Sequence, residues 1–132
     1  MPDKKYLPQH VLSRAEAAIE LVMNEGSSVR AVVISTEDGF ELVSRVDNNA
    51  QVTRLSAMAS SLSALGVLAG EESNLGECKN IIIEAASGML IILQFKRGQD
   101  TFIMSVIAGT DAVIGQILYL AKQAVRTLQV ME

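Results

Sequence analysis

Gln51–Gly76, QVTRLSAMASSLSALGVLAGEESNLG, is the element around which the rest of the chain is organised. Between Arg54 and Glu71 it carries no charge and is built from Leu, Met, Val, Ala, Ser and Gly. Its one sustained period is helical. At about 100° per residue, Leu55, Met58, Ala59, Leu62, Leu65, Gly66 and Ala69 fall on one face, enough to seat a core helix. The opposite face, with Ala57, Ser60, Ser61, Ala64, Val67 and Leu68, is uncharged too. A helix without charge on either side is usually buried on both. One side is therefore expected on this chain's own sheet and the other on the same helix of a second subunit. The alternative is a solvated, Ser-rich surface helix. A membrane span is set aside on length, because about 20 predominantly apolar residues are needed and serines interrupt this run. Gly66 and Gly70 make a GxxxG spacing, which here signals close packing or a weak helix end.

The bulk properties fit a partnered domain. The 132 residues suit one domain, 1–132, large enough to bury a core without disulfides or metal. A hydrophobic fraction of 49% and mean hydropathy of +0.30 are high for a monomer and place apolar surface at an interface. A net charge of −4 and a pI near 5.0 argue against non-specific nucleic-acid binding, which needs a basic surface. Cys78 is the only cysteine, so a reducing cytoplasm is expected, with the thiol a small half-buried residue. MPDKKYLPQH has no apolar core of a signal peptide. Residues 1–9, which hold both prolines, read as a short flexible arm.

From His10 to Glu25 the pattern is helical, with Val11, Ala15, Ala18, Ile19 and Val22 as its apolar stripe. Gly26 follows it as a C-terminal stop. VRAVVIS (Val29–Ser35) and FELVSRV (Phe40–Val46) flank an Asp-Gly turn and read as a hairpin, Gly39 supplying positive φ and Asp38 serving as a turn former. Glu41 and Arg45 mark the second strand as a guarded sheet edge. Asp47-Asn48-Asn49 leads by a polar loop into the organising helix. Beyond it, KNIIIEAA (Lys79–Ala86), MLIILQFK (Met89–Lys96) and TFIMSVIA (Thr101–Ala108) are joined by short turns, which force an antiparallel meander. Met89–Leu93 is apolar without alternation, as in a central strand covered on both faces. Gly109-Thr110-Asp111 provides a turn and N-cap for a last helix, Ala112–Leu128. Strands covered on both sides need helices on both sides, hence three layers.

Chemistry is sparse. With one His and one Cys, zinc clusters and Cys–His or Ser–His nucleophile pairs lack material. There is no GxxxxGK[ST], and the glycine-rich fragments follow helix instead of strand. Glu71 and Glu72 read as a polar helix end. No catalytic, cofactor-binding or metal-binding residue is assigned, and a non-enzymatic interaction module is expected.

The run VRAVVISTEDGFELVS resembles the opening hairpin of the Roadblock family, which includes roadblock-type dynein light chains and bacterial gliding-motility regulators. The Ala/Ser/Leu-rich helix ending in ESNLGE, the IIIEAASGMLIILQF hairpin and the SVIAGTDAVIGQILYLAKQAVRTL ending are similar to that family's as well. The resemblance covers about residues 10–128. It implies a profilin-like α/β/α sandwich with element order α-ββ-α-βββ-α and an antiparallel sheet of order 2-1-5-4-3. It also implies a homodimer, with third strands paired edge to edge and second helices packed together, that serves as a platform regulating a small Ras-like GTPase by activation or scaffolding.

The dimer interface is accordingly assigned to Ala57, Ser61, Ala64 and Leu68 on the helix and to Ile81, Ile82 and Ile83, an apolar edge that is hazardous unpaired. The partner site is assigned to Arg54 at one helix end, Glu71 and Glu72 at the other, and Ser56, Ser60 and Ser63 along a wet flank. Tyr119, Lys122 and Arg126 read as a solvated face. The competing function is a small-ligand sensor like PAS or GAF domains, which needs a partly polar pocket.

Overall fold

Short polar turns between β-rich runs leave antiparallel pairing as the only option, and that is what the chain does. The computed structural model describes residues 7–46 and 51–130. The elements are α1 (Gln9–Glu25), β1 (Val29–Thr36), β2 (Glu41–Val46), α2 (Val52–Glu72), β3 (Asn80–Ala85), β4 (Gly88–Arg97), β5 (Asp100–Ala108) and α3 (Ile114–Val130). Five strands form one sheet in the order β2-β1-β5-β4-β3, every neighbouring pair antiparallel. The two edges are therefore β2 and β3.

The β1–β2 turn is held by its own side chains. The Thr36 hydroxyl donates to Asp38 Oδ1 (2.6 Å) and accepts from the Phe40 amide (2.9 Å). Gly39 takes φ +100°, a conformation side chains resist. Two sequence expectations shift. Only residues 1–6 of the expected arm lie outside the described residues; Leu7 is buried, and the Pro8 carbonyl accepts the Val11 and Leu12 amides at the head of α1. α3 starts at Ile114, so Thr110 and Asp111 belong to the preceding turn, closed by the Ala112 amide on the Gly109 carbonyl at 3.1 Å. The Asp47-Asn48-Asn49 loop lies outside the described residues.

Strand alternation divides the sheet's side chains between two faces. One face carries Val32, Ile34, Ile91, Leu93, Phe95, Phe102, Met104 and Val106, and α1 and α3 cover it with Val11, Ile19, Val22, Ile117 and Leu128. The cross-strand partners Phe95 and Phe102 lie with ring centroids 5.6 Å apart, a spacing that adds to simple burial. Among the described residues α2 alone covers the other face, over a small cluster of Ala59, Ile92 and Ile103. Its seam is thin and partly polar. The Ser35, Ser56 and Ser105 hydroxyls are buried there without a hydrogen-bond partner among the described residues.

Length does not exclude a membrane span for α2. It has 21 residues and a mean hydropathy of 1.3 over its most apolar window, enough by length and composition to cross a bilayer. Its seat on the sheet speaks against that. Leu55, Ser56, Ala59 and Ser63 are buried against the strands, Ser60 Oγ donates to the Glu37 carbonyl at 2.7 Å, and the Gln94 amide donates to Ser63 Oγ.

Candidate interaction surface

α2 presents to the outside what a soluble helix normally hides. Its buried stripe is Leu55, Ser56, Ala59 and Ser63, with Leu62, Gly66 and Gly70 half-buried. Against the stripe read from the sequence, the helix is turned by about 60° at 100° per residue. Met58, Leu65 and Ala69, expected in the core, are exposed. The physical reason is fit. Serine and alanine let the backbone settle close to the strands, whereas Met and Leu on that side would hold it away.

This rotation corrects the proposed wet flank. Ser56 is fully buried, and Ser63 is 3% exposed and occupied by Gln94. Ser60 is half-buried and ties α2 to the β1–β2 turn through the Glu37 carbonyl. None of the three offers a free hydroxyl to a partner on the outer face. The hairpin turn explains this: a Cβ on Gly39 would sit 3.4 Å from both Ala57 Cα and Ser60 Cβ, so the turn lies directly against this side of the helix.

The residues assigned to helix–helix packing do face outward. Ala57, Ser61, Ala64 and Leu68 are all exposed, Leu68 by 50%, and Leu65 beside them by 60%. Arg54 and the pair Glu71 and Glu72 are exposed at opposite ends, about 27 Å apart at 1.5 Å per residue. On the neighbouring edge, Ile81 is half-buried while Ile82 and Ile83 are exposed. Among the described residues β3 has a strand neighbour on one side only, β4. The other edge is protected: on β2, Arg45 pairs with Glu20 of α1, and Ser44 Oγ donates to Glu41 at 2.8 Å. The exposed apolar face of α2 thus continues onto the more apolar of the two sheet edges.

The Gly66/Gly70 spacing serves contact within the chain. A Cβ on Gly66 would lie 2.7 Å from Ile81 Cδ1, and one on Gly70 would lie 2.4 Å from the Gly76 carbonyl oxygen. After Glu72 the chain doubles back, with Asn74 and Gly76 at positive φ and the Leu75 and Gly76 amides both on the Gly70 carbonyl (2.9 and 3.2 Å). The loop leaves Leu75 81% exposed, the most exposed of the large hydrophobics among the described residues. The sequence reading missed it, although an apolar residue inside the polar run EESNLGE was the available signal. Between α2 and this returning segment lies an open trough of about 520 Å³, with Leu65, Ala69, Cys78 and Ile81 in its walls. Cys78 Sγ lies 3.7 Å from the Asn80 carbonyl. Among the described residues no group of three or more His, Cys, Asp or Glu is placed to hold a metal ion.

Known structures share this architecture. No curated protein matches the sequence. Among solved structures, the Roadblock/LC7 domain from Streptomyces avermitilis superposes with a TM-score of 0.76 at 19% identity, over 85% of this chain and 92% of that one. The gliding protein MglB from Thermus thermophilus gives 0.83 at 14% identity, over 98% and 95%. Myxococcus xanthus MglB gives 0.80 at 17% identity, over 95% and 90%. These superpositions establish a shared Roadblock fold. Residues 15–132 match the model of a family described as mitogen-activated protein kinase kinase 1 interacting. With nearly the whole chain inside that match, the protein belongs to the mitogen-activated protein kinase kinase 1 interacting family, built on the Roadblock fold.

Proposed function

We propose that the protein is a non-enzymatic, cytoplasmic interaction module that dimerises through the outer face of α2 and the β3 edge. The paired α2 helices then form a platform that binds and regulates a small Ras-like GTPase, as activator or scaffold. One observation carries this reading: the surface of α2 is uncharged from Leu55 to Gly70, its outer half is exposed, and it adjoins an apolar strand with a free edge. Leaving such a face in water is unfavourable, and an exposed apolar strand edge is a template for pairing. The family description and the shared MglB fold support a role in binding other proteins. The GTPase itself comes from what the Roadblock resemblance implies.

On this reading Arg54, Glu71 and Glu72 are the charged rim, and rim charges set orientation and association rate more than affinity. Reversing Arg54 and Glu72 together is expected to weaken GTPase binding about tenfold, chiefly through a slower on-rate, while the dimer persists. The measurement is surface-coupled binding of Ras-like GTPases from the same cells, loaded with GDP or a non-hydrolysable GTP analogue. No binding by the wild type in either nucleotide state would remove the GTPase reading and favour the ligand-sensor alternative, for which the trough beside Cys78 is the available site.

A further inference from the structure

We propose that the helical face opposite α2 carries a second, independent docking groove, formed by α1 and α3, for an acidic amphipathic segment of a partner protein. The two helices pack in opposite directions. Gln116 at the start of α3 bridges to the end of α1 through the Ser27 amide and the Glu25 carbonyl, both at 3.3 Å. At the other end, where Arg14 and Leu21 of α1 meet Arg126 and Thr127 of α3, an open trough of about 640 Å³ remains. Ala18 and Ala124 are buried in its floor and Ala17 is exposed at its margin, residues too short to fill the furrow between two helix surfaces.

Charge decides the kind of occupant. Arg14 and Arg126 are exposed and make no ion pair or hydrogen bond among the described residues. Among the described residues no acidic side chain lines the trough, although the chain as a whole is at −4. The acids of α1 lie elsewhere: Glu16 and Glu20 line the side toward β2, where Glu20 pairs with Arg45, and Glu25 is the last residue of the helix, outside the trough. Leu21, 45% exposed, forms an apolar wall below the cations. An apolar furrow flanked by unpaired guanidiniums fits a helix that lays an apolar stripe into the groove and offers carboxylates at its margins. Two cations on an acidic chain are a poor match for an anionic membrane, where basic clusters of about 4–8 residues are the norm.

The test uses the full chain with a labelled helical peptide of Glu, Ala and Leu, the same peptide with Lys for Glu, and phosphatidylserine vesicles. The acidic peptide is expected to bind, to shift the amide resonances of Ala17, Ala18 and Ala124, and to weaken with added salt. Arg14→Glu with Arg126→Glu should weaken it at least tenfold, and Leu21→Ala severalfold, at unchanged thermal stability. Ala64→Glu on the other face should leave this binding intact. Equal binding of the basic peptide, binding indifferent to the arginine reversals, or vesicle binding without peptide binding would overturn the proposal. So would an arginine-dependent self-association inhibited by Glu71→Lys/Glu72→Lys, which would assign the groove to a second copy's acidic loop.

Discussion

With the proposed α2 seam, Ala64→Glu is expected to leave the protein a monomer where the wild type dimerises. Ala64 is at the centre of the exposed face of α2, between Ser61 and Leu68, and a two-fold axis through that face would bring two introduced carboxylates into one apolar seam. An unpaired buried charge costs about 3 kcal/mol or more, which is a rise of over about 100-fold in dissociation constant for each copy. Light scattering across a concentration series reads the change directly. Lys122→Glu, on the far side of the sheet, should leave the association untouched. A dimer that persists in Ala64→Glu would place the interface elsewhere, and a monomeric wild type would contradict the platform altogether.

Gly70→Ala is expected to destabilise the fold by about 2 kcal/mol. Helix propensity alone points the other way, since alanine is favoured over glycine by about 1 kcal/mol in a helix interior. The added methyl, however, would sit 2.4 Å from the Gly76 carbonyl oxygen, a backbone atom of a loop closed onto Gly70 itself. Forcing these apart costs about 1–3 kcal/mol for the contact, with further loss from the two amide bonds to the Gly70 carbonyl. The midpoint of thermal unfolding should fall by about 8 °C. Gly115→Ala, where a Cβ would meet nothing within 4 Å, is the matched control and should be neutral or slightly stabilising. A stabilised Gly70→Ala would show that the 73–77 loop is free to move away from α2.

The three hairpin turns, the guarded edge at β2 and the inward stripe of α1 could be read from residues because each rests on a local rule. Gly39 and the Thr36–Asp38 bond need only a few neighbouring side chains, and alternation of charge along FELVSRV is enough to mark an edge. The sheet order is non-local and came through the family resemblance. The rotation of α2 was not legible. Serine is equally at home beneath a helix seated closely on a sheet and on a wet flank, and periodicity counts only apolar residues, so the period alone puts Met58 and Leu65 inward, where Ser56 and Ser63 are found. The trough between α1 and α3 was hidden for a related reason: Ala17 and Ala124 create it by being short, and a missing side chain leaves no hydrophobic signal.

If α2 and β3 together form the seam between two copies, the outer edge of β3 is paired in the dimer. Amide hydrogen exchange along 80–85, followed by mass spectrometry in the associated state, reads that pairing. Strand pairing across the two-fold axis predicts that the outward-facing amides of β3 exchange as slowly as those of interior β4, and that Ala64→Glu returns them to rapid exchange without affecting β4. Rapid exchange of 80–85 in an intact dimer would contradict edge pairing and with it the proposed platform.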